Sequence, residues 1–292
     1  MQSHAQEGIV VGFDKGFAEP STFQDWAGRP PERRALMDGA ILVARIVEPS
    51  LDIRAWSIVI QGILRKCIAD VSGVSSPIER FQAARARLKE RFGLEGDLDD
   101  FYNPFNICLH KVMTRGLGVP VSLGVIWMTL GRLCGLEVRG TRMPGHFMME
   151  FSHHGRRWYV DPFHPERDYD EEGCKELFSA VMSAGGAEFA PQWLETVDDK
   201  DVVVRMLALT LEILSAAGDH GRALMTTGAL LELEPNQPRH FQRRASLFEE
   251  IGDWHRATDA WESCRDKAHT EALREHAIHR LRRTAIWTHG YH

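Results

Sequence analysis

The segment PGHFMMEFSHHGRRWYVDPF, Pro144 to Phe163, constrains the fold more than any other stretch of the chain. The runs His146 to Ser152 and Arg156 to Asp161, rich in apolar and aromatic residues, lie on either side of a His-His-Gly turn. Two such runs flanking a short turn are the pattern of a β-hairpin. With His153 and His154 as a two-residue loop, His146 faces Asp161, Glu150 faces Arg157, Phe147 faces Val160 and Met149 faces Trp158. One face then carries Phe147, Met149, Trp158 and Val160, the other His146, Glu150, Arg157, Tyr159 and Asp161. If the loop is His154-Gly155 instead, His146 and Asp161 become diagonal neighbours on the same face. Either register brings an imidazole and a carboxylate to one end of the sheet, with directly opposed side chains about 4.5–5.5 Å apart at Cβ.

A carboxylate that holds an imidazole orients the ring and fixes its tautomer, which leaves the far nitrogen free to act as a base. The same pair can also do no more than tie two strand ends together. What separates the two roles is a nucleophile within reach of His146.

The sequence before the hairpin is helical. ALMDGAILVARIVEP carries apolar residues at Leu36, Ile41, Leu42 and Ile46 and stops at Pro49, and a second helix follows from Asp52. SPIE reads as a capping box, with Ser76 as N-cap, Pro77 at the first helical position and Glu79 three residues after the cap; Gly93 closes that helix. VPVSLGVIWMTLGRLCG reads as a buried helix with Pro120 in its first turn, and a further strand spans Leu136 to Arg142. Helices first and a small antiparallel sheet second is an α+β arrangement.

After Asp198 the helical period returns, with an internal repeat. GDHGRAL at Gly218 and GDWHRAT at Gly252 are 34 residues apart, and Asp219/Asp253, Arg222/Arg256 and Ala223/Ala257 coincide at that offset. This is the period of tetratricopeptide-like helical hairpins. The expected organisation is therefore a tail or packing arm over 1–33, an α+β domain over 34–197 and an all-α repeat region over 198–285.

Net charge is −6 and no basic stripe with interleaved aromatics occurs, so nucleic acid is not an expected partner. The most apolar helix, Val119 to Leu136, is interrupted by Arg132 and glycines, so no membrane span is expected. The five cysteines are scattered without a CxxC pair, and the N-terminus lacks the pattern of a secretory signal; both fit a reducing cytoplasm. His146, His153, His154, Asp161 and His164 cluster in sequence but lack metal-ligand spacing, so neither a metal nor a cofactor is expected.

GVPVSLGVIWMTLGRLCGL, MPGHFMMEF and WYVDPF together resemble the transglutaminase-like superfamily, whose members share a helix bearing a cysteine, a strand opening with His and a strand closing with Asp. With DDFYNPFNICLHKVM, EPSLD at Glu48 to Asp52 and VVVRMLALTLEI, they resemble its bacterial SirB-like branch, in which such a domain is followed by tetratricopeptide-like helices. The resemblance spans roughly residues 34–268. It implies catalysis by a thiol at the helix N-terminus, where the helix dipole and a His lower its pKa. An ungapped alignment through GRLCGL puts Pro120 at that position, and Ile107 stands where the branch usually has serine.

The candidate catalytic set is therefore His146 as base, Asp161 as orienter, and Ser122 or, more weakly, Cys108 as nucleophile. Arg142 and Arg115 are candidates for holding a carboxylate. The expected function is a catalytically altered transglutaminase-like protein that binds a protein or peptide, with the repeats as a second interaction surface. The alternative is an acyl-transfer or amide-hydrolysing enzyme built on the His–Asp pair.

Overall fold

The computed structural model describes residues 21–182 and 188–289. Of the expected arm, residues 1–20 lie outside this range. The remainder packs through α1 (Phe23–Ala27), whose buried Trp26 donates its indole N–H to the Ala35 carbonyl at 2.9 Å. Its ring occupies the space left by the missing side chain of Gly39 in α2 (Leu36–Val47), where a Cβ would lie 2.6 Å from the indole. α3 (Ile53–Ala69) starts at Asp52, whose carboxylate accepts the Ala55 N–H. α4 (Pro77–Phe92) starts after Ser76 and ends at left-handed Gly93, but the capping box does not form. The Arg80 guanidinium ties down that end instead, donating to the carbonyls of Val74 and Ser75 at 3.0 Å each.

β1 (Glu95–Gly96) pairs in parallel with β2 (Leu117–Gly118), and α5 (Leu109–Arg115) lies between them in sequence. α6 (Pro120–Leu133) is the central helix, buried on nearly every side. It is followed by β3 (Glu137–Thr141), β4 (Met149–His153) and β5 (Arg156–Val160), then α7 (Glu171–Met182) and β6 (Thr196–Val197). The sheet order is β5-β4-β3-β6, antiparallel between neighbours. The fourth strand, two residues long, is too short for alternation to announce it. α+β is thus the class of this part of the chain.

Met149 lies opposite Val160 and Glu150 opposite Tyr159, the register of a His154-Gly155 loop, not that of His153-His154. The turn decides this. His154 and Gly155 have φ of 48° and 79°, and a two-residue hairpin turn of this kind wants positive φ at both central positions, which glycine adopts without strain. Phe151 therefore stacks on Trp158, and Glu150 reaches Arg157 across a diagonal at 3.7 Å.

α6 lies close against the apolar face of the sheet because two of its residues have no side chain there. A Cβ on Gly131 would sit 2.8 Å from Phe151 and Val138, and one on Gly124 would sit 2.4 Å from the Phe147 ring. The opposite face is covered as well, by α7, with Met148, Tyr159, Cys174 and Phe178 in a small cluster of their own.

Five helices complete the described chain: α8 (Asp199–Ala216), α9 (His220–Leu233), α10 (Pro238–Glu250), α11 (Trp254–Lys267) and α12 (Glu271–His289). The two turns predicted to repeat have the same geometry. Asp219 and Asp253 each accept an N–H three residues on, from Arg222 and Arg256, at 3.0 Å. Gly218 and Gly252 take φ of 70° and 75°, and Ala223 and Ala257 are fully buried. The main hydrophobic cluster runs from α2 and α6 into α8 and α9, across residue 198, while α10 to α12 build a second one around Trp261 and Phe248.

Candidate functional site

His146 sits in the turn ahead of β4, after Gly145 at φ 71°, and Asp161 directly follows β5. The diagonal register still brings them together: His146 Nε2 lies 3.1 Å from Asp161 Oδ2. Asp161 is 2% exposed and the His146 side chain 14%, so the carboxylate is sealed while the ring keeps an edge toward solvent. The other oxygen of Asp161 accepts the Phe163 N–H at 2.9 Å. A carboxylate can only accept, so it selects the tautomer with the proton on Nε2 and the lone pair on Nδ1.

Both residues are held from α6. The Phe147 ring fits against Gly124, and Trp127 donates its indole N–H to the Pro162 carbonyl at 3.1 Å. Arg205 of α8 closes the other side: it donates to the Met143 carbonyl at 2.9 Å and lies over the Phe147 ring, 5.1 Å from its centroid. Burial pushes its guanidinium pKa down to about 10. Its position 59 residues beyond His146 gave no sequence signal of this role.

The candidate nucleophiles are placed differently. Pro120 is the first residue of α6 and offers no reactive atom. Ser122 is fully buried and acts as a cap: its hydroxyl donates to the Asn106 carbonyl at 2.6 Å and accepts the Val119 N–H at 3.1 Å. Cys108 is buried with its Sγ 3.4 Å from the Pro104 carbonyl, and burial pushes its thiol up to about 12, with Glu48 adding to the effect. It sits at the N-cap of α5, where a helix dipole favours thiolate, but desolvation outweighs that. The other four cysteines are also buried, free and shifted upward by burial.

Arg115 donates to Asn106 Oδ1 at 2.9 Å and lies 3.8 Å from Asp97, so the structure gives it an internal partner. Arg142 is exposed and pairs with Glu195 at 3.5 Å. Among the described residues no group of three or more His, Cys, Asp or Glu is arranged to hold a metal. No described helix is long and apolar enough to cross a membrane.

Two further polar arrangements have no signal in the spacing of the sequence. Asn106, fully buried, donates to Asp97 Oδ2 at 3.0 Å and to the Asp100 carbonyl at 2.8 Å, which ties the NPFN turn to the loop after β1. Glu48, in the EPSLD motif, accepts from both His110 and Lys111, and the His110 ring lies 5.3 Å from that of Trp56. Burial holds the His110 pKa down, so this second imidazole–carboxylate pair favours a neutral ring.

A buried central helix laid on a small antiparallel sheet, with a His–Asp pair where the second hairpin strand ends, defines a class. The chain belongs to the transglutaminase-like superfamily, whose family profile matches residues 55–208. It is 29% identical over 223 residues to a UPF0162 protein of Xylella fastidiosa (strain Temecula1), covering 76% of this chain and 79% of that one. Protein SirB1 of Salmonella typhimurium is 22% identical over 217 residues, covering 74% and 80%, in keeping with the SirB-like branch. F-box only protein 21 of Mus musculus is 21% identical over 259 residues, covering 77% of this chain and 40% of that protein. No solved structure matches the chain.

Proposed function

We propose that this chain is a catalytically altered transglutaminase-like module that binds a protein or peptide segment beside His146 and Asp161, with the C-terminal helices as a second contact surface. The observation that carries this reading is the start of α6. Pro120 stands where the family's thiol is expected, and the hydroxyl of Ser122, two residues on, is bonded to Asn106 and Val119. Acyl transfer through a covalent intermediate needs a nucleophile within hydrogen-bond reach of its base. Cys108, with its pKa near 12, would be thiolate in fewer than about one molecule in ten thousand at neutral pH.

The retained pair suits recognition. A neutral imidazole with its lone pair on Nδ1 accepts an N–H from a peptide, and buried Asp161 keeps the ring in that tautomer. A reducing compartment such as the cytoplasm suits five buried, unpaired thiols. The His–Asp pair equally supports the second reading, an acyl-transfer or amide-hydrolysing enzyme, because it is what such a catalyst would retain.

The test is labelling of the purified protein with a serine-reactive fluorophosphonate and, separately, with iodoacetamide, followed by adduct mapping, with His146→Ala as control. The proposal expects no His146-dependent adduct. An adduct on Ser122 or Cys108 that disappears in His146→Ala would establish the enzyme reading in its place.

A further inference from the structure

We infer that the loop from Glu95 to Phe105 is the docking wall of this site, shaped for a peptide segment in which an apolar residue is flanked by Lys or Arg. The inference deepens the binding function proposed above and rests on it.

The loop presents apolar side chains to solvent. Leu98 is 79% exposed, Tyr102 57% and Phe105 38%. Exposed apolar side chains on a loose loop would mean little, but this loop is fixed from beneath. Asp97 accepts the Asp100 N–H at 2.9 Å and the Asn106 side-chain amide at 3.0 Å. Asn103 accepts the Phe105 N–H and donates to Asp100 Oδ2, each at 2.9 Å. Asp97 and Asn106 are buried beneath the loop and anchor it, and the apolar tips are left facing out.

A frame already ordered lowers the entropic cost of binding, and exposed apolar and aromatic tips are what an interface core is made of. The base of the loop touches the segment that follows Asp161. The Phe163 ring, two residues past Asp161, lies on Gly96, where a Cβ would sit 2.7 Å from it. Leu98 follows two residues later.

Charge selects the partner. Glu95, Asp99 and Asp100 are exposed. Two cations of α5 are already engaged, Lys111 with Glu48 at 2.9 Å and with the Phe105 ring at 5.2 Å, and Arg115 with Asn106 at 2.9 Å. A basic segment with an apolar anchor complements such a surface. A second copy of this chain, meeting it loop to loop, would set carboxylates against carboxylates.

The experiment uses the full chain and two pools of short, end-capped, fluorescein-labelled peptides, read by anisotropy. One pool carries Leu or Phe flanked by Lys and Arg, the other Leu or Phe flanked by Asp and Glu. Binding of the basic pool is expected, with affinity at least about tenfold weaker in Leu98→Ser/Tyr102→Ser and in Glu95→Lys/Asp99→Lys, the range in which interface anchors are lost. All four positions are exposed, and circular dichroism checks that the variants fold. Equal binding of both pools, or no loss in either variant, would overturn the inference. So would concentration-dependent self-association that Leu98→Ser/Tyr102→Ser abolishes, which would make a second copy the occupant. Binding insensitive to the loop variants but lost in His146→Ala would remove the loop and leave the cleft reading standing. A His146-dependent covalent adduct would remove the non-catalytic reading without touching the loop result.

Discussion

Ser122 Oγ lies 2.6 Å from the carbonyl oxygen of Asn106, a residue sixteen positions earlier in the chain. That bond fastens the first turn of α6 to the end of the NPFN turn, and the Val119 N–H completes it by donating to the same hydroxyl. The hydroxyl therefore holds the helix start at which the site is assembled. Ser122→Ala removes the hydroxyl from the Asn106 carbonyl and the Val119 N–H, which keep a 3.3 Å bond to each other, so the expected cost is that of lost hydrogen bonds, about 0.5–1.5 kcal/mol. Urea denaturation followed by circular dichroism reads this directly. Unchanged stability would show that the Val119–Asn106 backbone bond alone fastens the helix start.

Gly124→Ala is expected to destabilise by about 1–3 kcal/mol through overpacking, because the added methyl would fall 2.4 Å from the Phe147 ring. Combining it with Phe147→Leu should cost less than the sum of the two single changes, since the smaller side chain vacates the contested space. Strict additivity of the thermal unfolding data would show that the ring and Gly124 are not in competition.

Arg205→Met keeps an apolar stem over Phe147 and removes the hydrogen bond to the Met143 carbonyl. The expected loss is about 0.5–1.5 kcal/mol, with the loop carrying His146 opening locally more often. Amide hydrogen exchange over residues 142–147 should accelerate in the variant while exchange in α10 and α11 stays as it was. A uniform change across the chain would contradict a local role.

Asp97 supplies a pH dependence. The Asp100 N–H, and then the amide of Asn106 and the charge of Arg115, hold its carboxyl below the ordinary value of 3.8. A carboxylate whose pKa is depressed on folding stabilises fully above its unfolded value, and that contribution fades as pH falls toward the folded one. Stability should therefore be level near neutrality and drop below about pH 4, and Asp97→Asn should flatten that acid limb. Thermal melts between pH 2 and 7 on both proteins, a range of about five pH steps around the reference value, check it. Parallel acid limbs would assign the effect to other carboxylates.

The hairpin, the helix from Pro120 and the repeat turns were legible because each has a local cause: a short turn between two apolar-rich runs, a residue without an N–H, an Asp placed to cap. The register was legible only as a choice between two loops, and positive φ at His154 and Gly155 made that choice. β6 and the clamp by Arg205 were not legible. Both join segments far apart in the chain, β6 to β3 and Arg205 to Met143, which neither periodicity nor spacing reports. Ser122 shows the opposite difficulty: in sequence a serine in the first turn of a helix reads alike as cap or nucleophile, and the carbonyl that decides it comes from Asn106.

Leu247 and Phe248 are neighbours in α10, yet the first belongs to the main hydrophobic cluster and the second to that of α10 to α12. One helix thus serves as a party wall. A cut after Ile251 would strip the cover from Phe248 and Ala245 and leave a greasy flank, while a cut before Pro238 would take Leu247 out of the main cluster. Fragments ending at either place invite clumping, so the stretch beyond the family match is no detachable trailer, and trimming toward the His–Asp pair would undermine the very part it was meant to isolate.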